Sequence, residues 1–355
     1  MRSRPLHLCS LILLALAAFG QTTIPRAPVP ADPHELATGE TIVASDAGQR
    51  ASVLSLLERA RQNADLQAPG APGFTLKVSF EASGPVTYTG SGEMTDTWMS
   101  AGMWGWSARL GDYSEVRAVA NGRVYGENPA GVVPLRVQMV RGAIFWPINV
   151  WPRALIRVAT GNWNGMQLMC ALQSAGAPTA TPGRRWGETE YCVDPKSGLL
   201  QIYSVAPGIY GVYDYNGALR FHGHVLPRQI TVFENGSAVL NIHLESIGPA
   251  SGIENASFNF SAASTMPVWL TMPVRFPQVV PTPGAPANAT IEPVIVHASI
   301  SKDGKVVEAE ALQTSAQSRA ALDLVKRSTY PPRNGNGFMR QREAFINVQF
   351  VPGGK

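Results

Sequence analysis

Residues 74–82 read FTLKVSFEA, and this stretch decides the fold class. Its apolar residues stand at every second position from Phe74 to Phe80, and polar residues such as Lys77 fill the positions between them. A period of two matches a β-strand, whose successive side chains point to opposite faces, and does not match the 3.6-residue period of a helix. The stretch therefore predicts a strand with one buried and one exposed face.

Strand-like segments recur on the C-terminal side of this stretch, and turn residues separate them. Asn121-Gly122 and Asn235-Gly236 are typical of two-residue hairpin turns. Short connections between successive strands favour an antiparallel meander, so the sequence predicts a mainly β or α+β fold with one large curved antiparallel sheet. The further strands are predicted at 86–93, 105–110, 115–120, 123–125, 166–172, 188–193, 199–205, 210–215, 226–234 and 238–246.

Helical patterns are few in the same part of the chain. Asp46 and Gln49 have the spacing of a capping box, and apolar residues then recur with helical spacing, which predicts an amphipathic helix over 47–64 that covers the sheet. A less regular pattern over 133–160, interrupted by prolines, predicts two short helices.

The N-terminus has the three parts of a secretory signal peptide. Arg2 and Arg4 are followed by the apolar run LILLALAA and by small residues ending at Gly20. This order predicts cleavage after Gly20, followed by a flexible lead over 21–45. The alternative is an uncleaved N-terminal anchor, although the apolar run is shorter than the roughly 20 residues that span a bilayer.

Export makes the cysteines informative. Cys9 lies in the predicted signal peptide, which leaves Cys170 and Cys192 as an even pair in an oxidising compartment. Each lies in a strand-like segment, so we expect one disulfide bond. Two buried thiols and a metal pair remain alternatives, but neither a Cys-x-x-Cys motif nor an adjacent histidine favours metal.

The C-terminal part has a separate pattern. Residues 267–293 are rich in proline and poor in charge, which predicts a semi-rigid linker. Beyond it, strands at 294–300 and 305–312 flank Asp303-Gly304, Thr314 and Gln317 form a second capping box, and a last strand is predicted at 343–351. The order ββαβ predicts a small second domain over 294–355, in agreement with a length of 355 residues.

This C-terminal block resembles the C-terminal domain of TonB-type proteins. The resemblance covers about a sixth of the chain and depends on the order of its elements: a DG hairpin, a helix with a basic end, an aromatic-Pro stop, an Asn-Gly turn and a final strand. The matching residues are Asp303, Gly304, Val306, Ser315, Ala321, Leu322, Val325, Lys326, Tyr330, Pro331, Asn334, Gly335, Val348 and Phe350.

The TonB resemblance implies a periplasmic module that binds a peptide of an outer-membrane transporter, or another envelope protein, by strand addition. The strand 343–351 is the expected docking edge, because it lies near the chain end and can leave backbone groups unpaired. The alternative is an edge covered by the other domain or by a second subunit. The residues assigned to the docking strand are Ala344, Ile346, Val348 and Phe350.

The larger domain, predicted over 46–266, more faintly resembles the LolA-type half-barrel of lipoprotein carriers. The features are the leading helix, the YTGSGEM segment near residue 90, and the run FHGHVLPRQITVFENGSAVLNIHLESI from Phe221 to Ile247. This resemblance implies that a carrier or sensor domain holds lipid or lipoprotein acyl chains on its concave apolar face. It is the alternative to the transporter-docking function.

The composition argues against several function classes. Charged residues make up only 15% of the chain, and a formal charge of +4 without a basic run argues against nucleic-acid binding. We find no nucleophile elbow, P-loop or zinc-protease motif, so we expect a non-enzymatic protein without catalytic residues or cofactor. His222 and His224 could start a metal site, but Gly223 between them favours an exposed turn, and we expect no metal.

Overall fold

The computed structural model describes thirteen segments of the chain: residues 42–43, 47–120, 123–127, 131–145, 148–150, 154–174, 189–206, 208–250, 263–264, 274–282, 293–312, 314–331 and 341–352. The predicted signal peptide and cleavage site lie outside them. The helices are α1 (Ala47–Ala64), α2 (Leu135–Phe145) and α3 (Ser318–Arg327). The strands are β1 (Ile42–Val43), β2 (Phe74–Ala82), β3 (Gly90–Ser100), β4 (Met103–Leu110), β5 (Tyr113–Ala120), β6 (Arg123–Gly126), β7 (Leu155–Trp163), β8 (Met166–Ser174), β9 (Thr189–Val193), β10 (Leu200–Ala206), β11 (Ile209–Asp214), β12 (Leu219–Phe221), β13 (His224–Leu226), β14 (Gln229–Glu234), β15 (Ser237–Pro249), β16 (Ala263–Ser264), β17 (Val274–Thr282), β18 (Val294–Ile300), β19 (Val306–Ala311) and β20 (Arg342–Pro352).

A large curved antiparallel sheet dominates the fold, which confirms the predicted fold class. Its strand order is β1-β7-β8-β9-β10-β11-β14-β15-β2-β3-β4-β5-β6-β16. Two meanders, one on each side, are joined where β15 pairs with β2. That pairing brings together strands about 160 residues apart and turns two local hairpin series into one sheet.

Strand β2 has the predicted bounds, and its side chains alternate as the sequence indicates. Phe74, Leu76, Val78 and Phe80 are all buried, whereas Lys77 and Glu81 are exposed. Since β2 pairs with β15 on one side and β3 on the other, it is a central strand with one face in the main core.

The hairpin turn at Asn235-Gly236 is also confirmed. Asn235 has φ 44° and Gly236 has φ 80°, the left-handed pair that a type I′ turn requires. His222 and Gly223 have φ 46° and 89° in the turn of the β12–β13 hairpin, as their sequence predicts. These turns fix the register of the strands that they join. The apolar alternation alone does not, because a shift of two residues leaves the same side chains on the buried face.

Helix α1 has the predicted bounds, and its buried residues include Val53, Leu56 and Leu57. The residue proposed as its cap, Asp46, lies outside the described residues. The prediction of two short helices over 133–160 is wrong in part, because among the described residues of this region α2 is the one helix and the region ends in strand β7. The β7 segment LIRVATGNW contains branched residues at alternating positions, the pattern of a strand, and Ile156 is buried.

A separate four-stranded mixed sheet, with order β17-β20-β18-β19, forms the C-terminal domain together with α3. Strand β17 lies inside the predicted proline-rich linker and pairs in parallel with β20 over nine residues. The linker prediction is therefore wrong at 274–282. Proline is compatible with an edge strand, because its missing N–H can lie on the side without a partner.

The C-terminal docking strand differs from its prediction as well. Strand β20 pairs with β17 on one side and β18 on the other, so it is an inner strand and not a free edge. Apolar residues stand at every second position of β20, and the face that they form packs against helix α3 rather than against a partner protein. Ala344, Ile346 and Val348 are fully buried in the cluster that includes Ala321 and Val325 of α3, and Phe350 packs partly buried against the same cluster.

The second capping box does not form. Gln317 is the N-cap of α3 and its side chain makes no capping hydrogen bond. The hydroxyl groups of Ser315 and Ser318 lie 3.0 Å apart at this helix start instead.

None of the helices in the described segments is long and apolar enough to cross a bilayer.

Candidate ligand-binding pocket

An apolar pocket lies between the large sheet and the two helices that cover it. The space inside it is about 10 Å³, which is room for about one water molecule. Strands β10, β11, β14 and β15 form its floor, and α1, α2 and strand β13 supply the opposite wall. The lining residues are Ala64, Ala143, Ile144, Leu200, Tyr213, Tyr215, Leu226, Pro227, Ile230 and Leu244.

The floor of the pocket follows from strand alternation. Tyr213 of β11 stands directly opposite Ile230 of β14, and both side chains are buried in the main core. Leu244 lies in the next strand, β15, and is fully buried. We call this side of the large sheet the helix-covered face, because every second residue of these strands points toward α1 and α2.

Two tyrosines are the titratable groups among the lining residues. The Tyr213 hydroxyl donates a hydrogen bond of 3.0 Å to the Ala143 carbonyl oxygen, which ties β11 to α2. Burial raises the pKa of both Tyr213 and Tyr215, so both phenols are neutral at pH 7. The pocket wall therefore offers apolar surface with two neutral hydroxyl groups and no charge.

Helix α2 is held on the helix-covered face by a buried ion pair. Arg141 contacts Asp96 of β3 at 2.8 Å, and both side chains are inaccessible to solvent. Its guanidinium also lies 5.0 Å from the Trp104 ring centroid and 5.3 Å from that of Trp106. Burial raises the pKa of Asp96, and the positive charge of Arg141 opposes that change. Cation–π contacts and the carboxylate together compensate for burying the guanidinium.

A second buried ion cluster joins α2 to the C-terminal domain. Arg136 of α2 lies 3.0 Å from Glu234 of β14 and 2.7 Å from Glu310 of β19. The Nδ1 atom of His297, on β18, lies 3.0 Å from Glu234, and its Nε2 atom lies 3.5 Å from Glu343 of β20. Five charged or titratable groups from five different elements therefore meet at the interface of the two domains.

The pKa values of this cluster are strongly shifted. Burial disfavours the charged form of Glu234 and so raises its pKa. Contacts with Glu310, His297 and Arg136 outweigh that effect and lower the pKa of Glu234 to about 2. Burial also opposes protonation of His297, yet Glu234 and Glu343 raise its pKa to about 9. Burial and the neighbouring Glu234 raise the pKa of Glu310 to about 9 against the effect of Arg136. At neutral pH the Arg136 and His297 cations then face the Glu234 carboxylate, and Glu310 keeps a proton.

The ion cluster also has the residue types of a metal site. Glu234, His297 and Glu310 place three possible ligand atoms within 4.8 Å of one another. However, the Arg136 guanidinium already contacts both carboxylates and takes the place that a cation would need. Cys170, Glu190 and Cys192 form a similar group, but the two sulfur atoms are bonded to each other. We therefore interpret the first group as an ion cluster and the second as a disulfide.

The ion cluster predicts a pH dependence of stability. The pKa of His297 is about 9 in the folded chain against an ordinary value of 6.5, so the folded state holds a proton that the unfolded state releases. Its contribution is complete below pH 6.5 and is lost as the pH rises through 9, with a slope of at most about 1.4 kcal/mol per pH unit. Glu310 acts in the same direction. We expect the free energy of unfolding, measured with urea, to fall between pH 6.5 and pH 9.

The matched variants are His297→Gln and His243→Gln. The first removes the buried proton and should flatten the slope, whereas the second removes a largely exposed histidine beside Glu245 and should leave the slope unchanged. A wild-type stability that stays constant or rises over this pH range would contradict the assigned charge states.

The residues named from the sequence lie away from the pocket. Ala344, Ile346, Val348 and Phe350 belong to the core of the C-terminal domain and are not brought to a free edge. The predicted disulfide between Cys170 and Cys192 is confirmed, and it joins paired positions of β8 and β9. In the described part of the chain His224 belongs to no group of possible metal ligands, and its Nδ1 atom lies 3.0 Å from the Gln62 carbonyl oxygen of α1.

The sequence reading missed the two arginines of α2. The signal was available in the segment LRVQMVRGAIF, where Arg136 and Arg141 interrupt a mostly apolar run. A charged residue inside such a run indicates a buried partner, since an unpaired buried charge is strongly destabilising. The sequence alone did not identify Asp96, Glu234 and Glu310 as those partners, because they lie 45 to 174 residues away.

Comparisons with known proteins give distant structural likeness. No protein-family model and no curated protein sequence matches the chain. Among solved structures, the chain is similar to a LolA superfamily protein from Nitrosomonas europaea, with 11% identity and a TM-score of 0.39 over 58% of this chain and 96% of that one. It is also similar to a putative outer-membrane lipoprotein-sorting protein domain from Vibrio parahaemolyticus, with 8% identity and a TM-score of 0.34 over 57% of this chain and 95% of that one.

Proposed function

We propose that this chain is a non-enzymatic binding protein of the cell envelope, and that its large domain holds a lipid acyl chain. The observation that carries the proposal is the apolar pocket between the helix-covered face and the helices α1 and α2. Its walls are aliphatic and aromatic, with two neutral hydroxyl groups. Such a surface favours a ligand with methylene groups and no charge inside the pocket, because each buried CH₂ contributes about 0.8 kcal/mol.

The size of the pocket indicates how a ligand enters. A volume of about 10 Å³ is far below that of a small-molecule site, roughly 300 to 1,000 Å³, so the pocket is nearly closed in this conformation. A long acyl chain therefore fits only if a covering helix moves away from the sheet. A charged headgroup would remain at the mouth, where Ala64 of α1 is only partly buried.

The same surface supports a binding role rather than catalysis. General acid–base chemistry needs a group that exchanges a proton near neutral pH within reach of the substrate. Tyr213 and Tyr215, the titratable groups of the lining, have raised pKa values and hold their protons. The polar groups of the wall thus suit the positioning of a ligand.

The proposal predicts that filling the pocket abolishes ligand binding. Ala64→Trp should place an indole ring in the space that an acyl chain needs and weaken binding at least about tenfold, which corresponds to losing about two buried CH₂ groups. The measurement is a fluorescence titration of delipidated protein with 11-(dansylamino)undecanoic acid.

The matched control is Ala51→Trp, which adds the same ring to an exposed position of the same helix. It should bind the probe as the wild type does. Equal affinity in both variants would place the ligand outside this pocket, and no binding by the wild type would contradict the proposed function. Native mass spectrometry of the purified chain adds an independent readout, since a carrier is expected to retain lipid.

Docking of an outer-membrane transporter peptide by strand addition is a second candidate. The observation that supports it is the parallel pairing of the chain's own strand β17 along β20, because a partner peptide would use the same edge of β20. Gln278 and Val280 of β17 contact the α3 side of the domain, through a hydrogen bond from Tyr330 and through apolar packing. A partner peptide would have to displace β17, so capture of such peptides only after loss of β17 would support this function.

A further inference from the structure

Helix α2 touches both the pocket and the C-terminal domain. Ala143 and Ile144, near its C-terminal end, line the pocket. Leu135 and Arg136, at its N-terminal end, bond to residues of the C-terminal sheet. One helix of eleven residues therefore connects the proposed ligand site to the second domain.

One link is the Glu308 carboxylate of β19. Its Oε2 atom accepts a 3.0 Å hydrogen bond from the backbone N–H of Leu135, the first residue of α2. Its Oε1 atom accepts a 2.7 Å bond from the backbone N–H of Thr87, in the segment that precedes β3. A carboxylate at a helix N-terminus satisfies a free N–H and interacts favourably with the helix dipole.

Further buried hydrogen bonds join the same two surfaces. The side-chain amide of Gln138 donates to the Ser299 hydroxyl at 2.9 Å. Gln341 accepts from the backbone N–H of Val133 and donates to the carbonyl oxygen of that residue, at 3.0 Å each. Together with the contact between Arg136 and Glu310, these bonds fix the N-terminal half of α2 on the C-terminal sheet.

The C-terminal sheet is itself bonded to the large domain, through Glu308 to Thr87 and through His297 to Glu234. If that sheet stays in place, moving α2 away from the large sheet breaks the bonds of α2 to it in a buried setting. Polar groups that lose their partners away from water cost more than a hydrogen bond ordinarily contributes. The ease with which α2 moves is therefore set partly by the C-terminal domain, although that domain contributes none of the lining residues of the pocket.

We propose that the C-terminal domain acts as a clamp on α2 and so controls the rate at which the apolar pocket opens to its ligand. This inference rests on the proposed function, because it concerns access to the same pocket. The clamp is defined by Glu308, Ser299, Gln341 and Glu310 on the C-terminal side. Weakening the clamp should raise both the association rate and the dissociation rate of the ligand. The dissociation constant should change by a smaller factor than either rate.

The test is stopped-flow fluorescence with 11-(dansylamino)undecanoic acid on the full chain. Glu308→Ala removes a charge-assisted bond to α2 and should raise the association and dissociation rates about tenfold or more. The control Glu93→Ala removes a carboxylate that pairs with Arg109 on the exposed surface of the large sheet, and it should leave both rates unchanged.

A milder variant covers the case in which Glu308→Ala does not fold. Ser299→Ala deletes one hydroxyl at a buried position and should raise both rates in the same direction by a smaller factor. Hydrogen exchange of residues 135–145, measured on the same samples, should become faster in each clamp variant that folds.

The outcomes separate the two proposals. If the wild type binds the probe and the clamp variants exchange it at wild-type rates, the clamp is wrong and the binding function stands. If neither the wild type nor any variant binds the probe, the binding function fails and the clamp fails with it. Probe binding by the wild type that becomes faster in the clamp variants supports both.

Discussion

Replacing Arg141 with methionine should lower the free energy of unfolding by about 3 to 5 kcal/mol, the range observed when one partner of a buried ion pair is removed. The substitution leaves the Asp96 carboxylate fully buried without its counter-ion, and no water can reach it. It also removes the guanidinium from the rings of Trp104 and Trp106, whereas the methionine retains most of the apolar volume. The loss should therefore be mainly electrostatic.

Two controls identify the cause of that loss. The double variant Arg141→Met with Asp96→Leu removes both charges and should recover most of the stability, because a buried ion pair is often replaceable by apolar residues. Arg109→Met removes a mostly exposed partner of Glu93 and should cost between about 0 and 1 kcal/mol. Urea unfolding followed by far-ultraviolet circular dichroism measures all three. If Arg141→Met cost no more than Arg109→Met, the ion pair would not stabilise the fold.

The parts of the fold that depend on neighbouring residues were predictable from the sequence. Strand β2 and helix α1 have the predicted bounds because their apolar periods, two and 3.6, are local properties. The turn at Asn235-Gly236 was predictable because few residues adopt positive φ at low cost. In each case the sequence pattern and the backbone geometry concern the same few residues.

The parts that depend on distant residues were not predictable. The sequence indicates that strand 343–351 has an apolar face but does not indicate what occupies its edges. Strand β17 covers one edge, and it comes from a proline-rich segment whose composition favours a linker. The closure of the large sheet by β15 and β2 is another pairing of this kind. Strand pairing is determined by the whole chain, so local pattern gives the strand but not its neighbour.

The candidate site shows the same limit. The pocket lining comes from seven helices and strands. Arg136 and Arg141 belong to α2, but their partners Asp96, Glu234 and Glu310 come from β3, β14 and β19. Apolar residues on the helix-covered face predict a core in general, but a gap between helix and sheet is defined only when all seven elements are in place.

The disulfide is the one cross-link that the sequence predicted correctly, and its environment indicates how it acts. Cys170 and Cys192 are paired residues of adjacent strands and are fully buried. They belong to a small apolar cluster with Leu168, Ile202 and Tyr210. Because neighbouring residues of a strand point to opposite faces and Ala171 belongs to the main core, this cluster lies on the face opposite the pocket.

Replacing both cysteines with alanine should lower the free energy of unfolding by about 3 kcal/mol. The bond closes a chain segment across a separation of 22 residues, and cross-linking a loop of that size reduces the entropy of the unfolded chain by about this amount at 25 °C. Urea unfolding of the oxidised wild type and of Cys170→Ala with Cys192→Ala gives the difference. Val212→Ala, which trims the same cluster without opening a loop, should cost less. An equal loss in both variants would assign the stabilisation to packing rather than to the cross-link. A reductant should lower the free energy of unfolding of the wild type and leave that of the Cys170→Ala, Cys192→Ala variant unchanged.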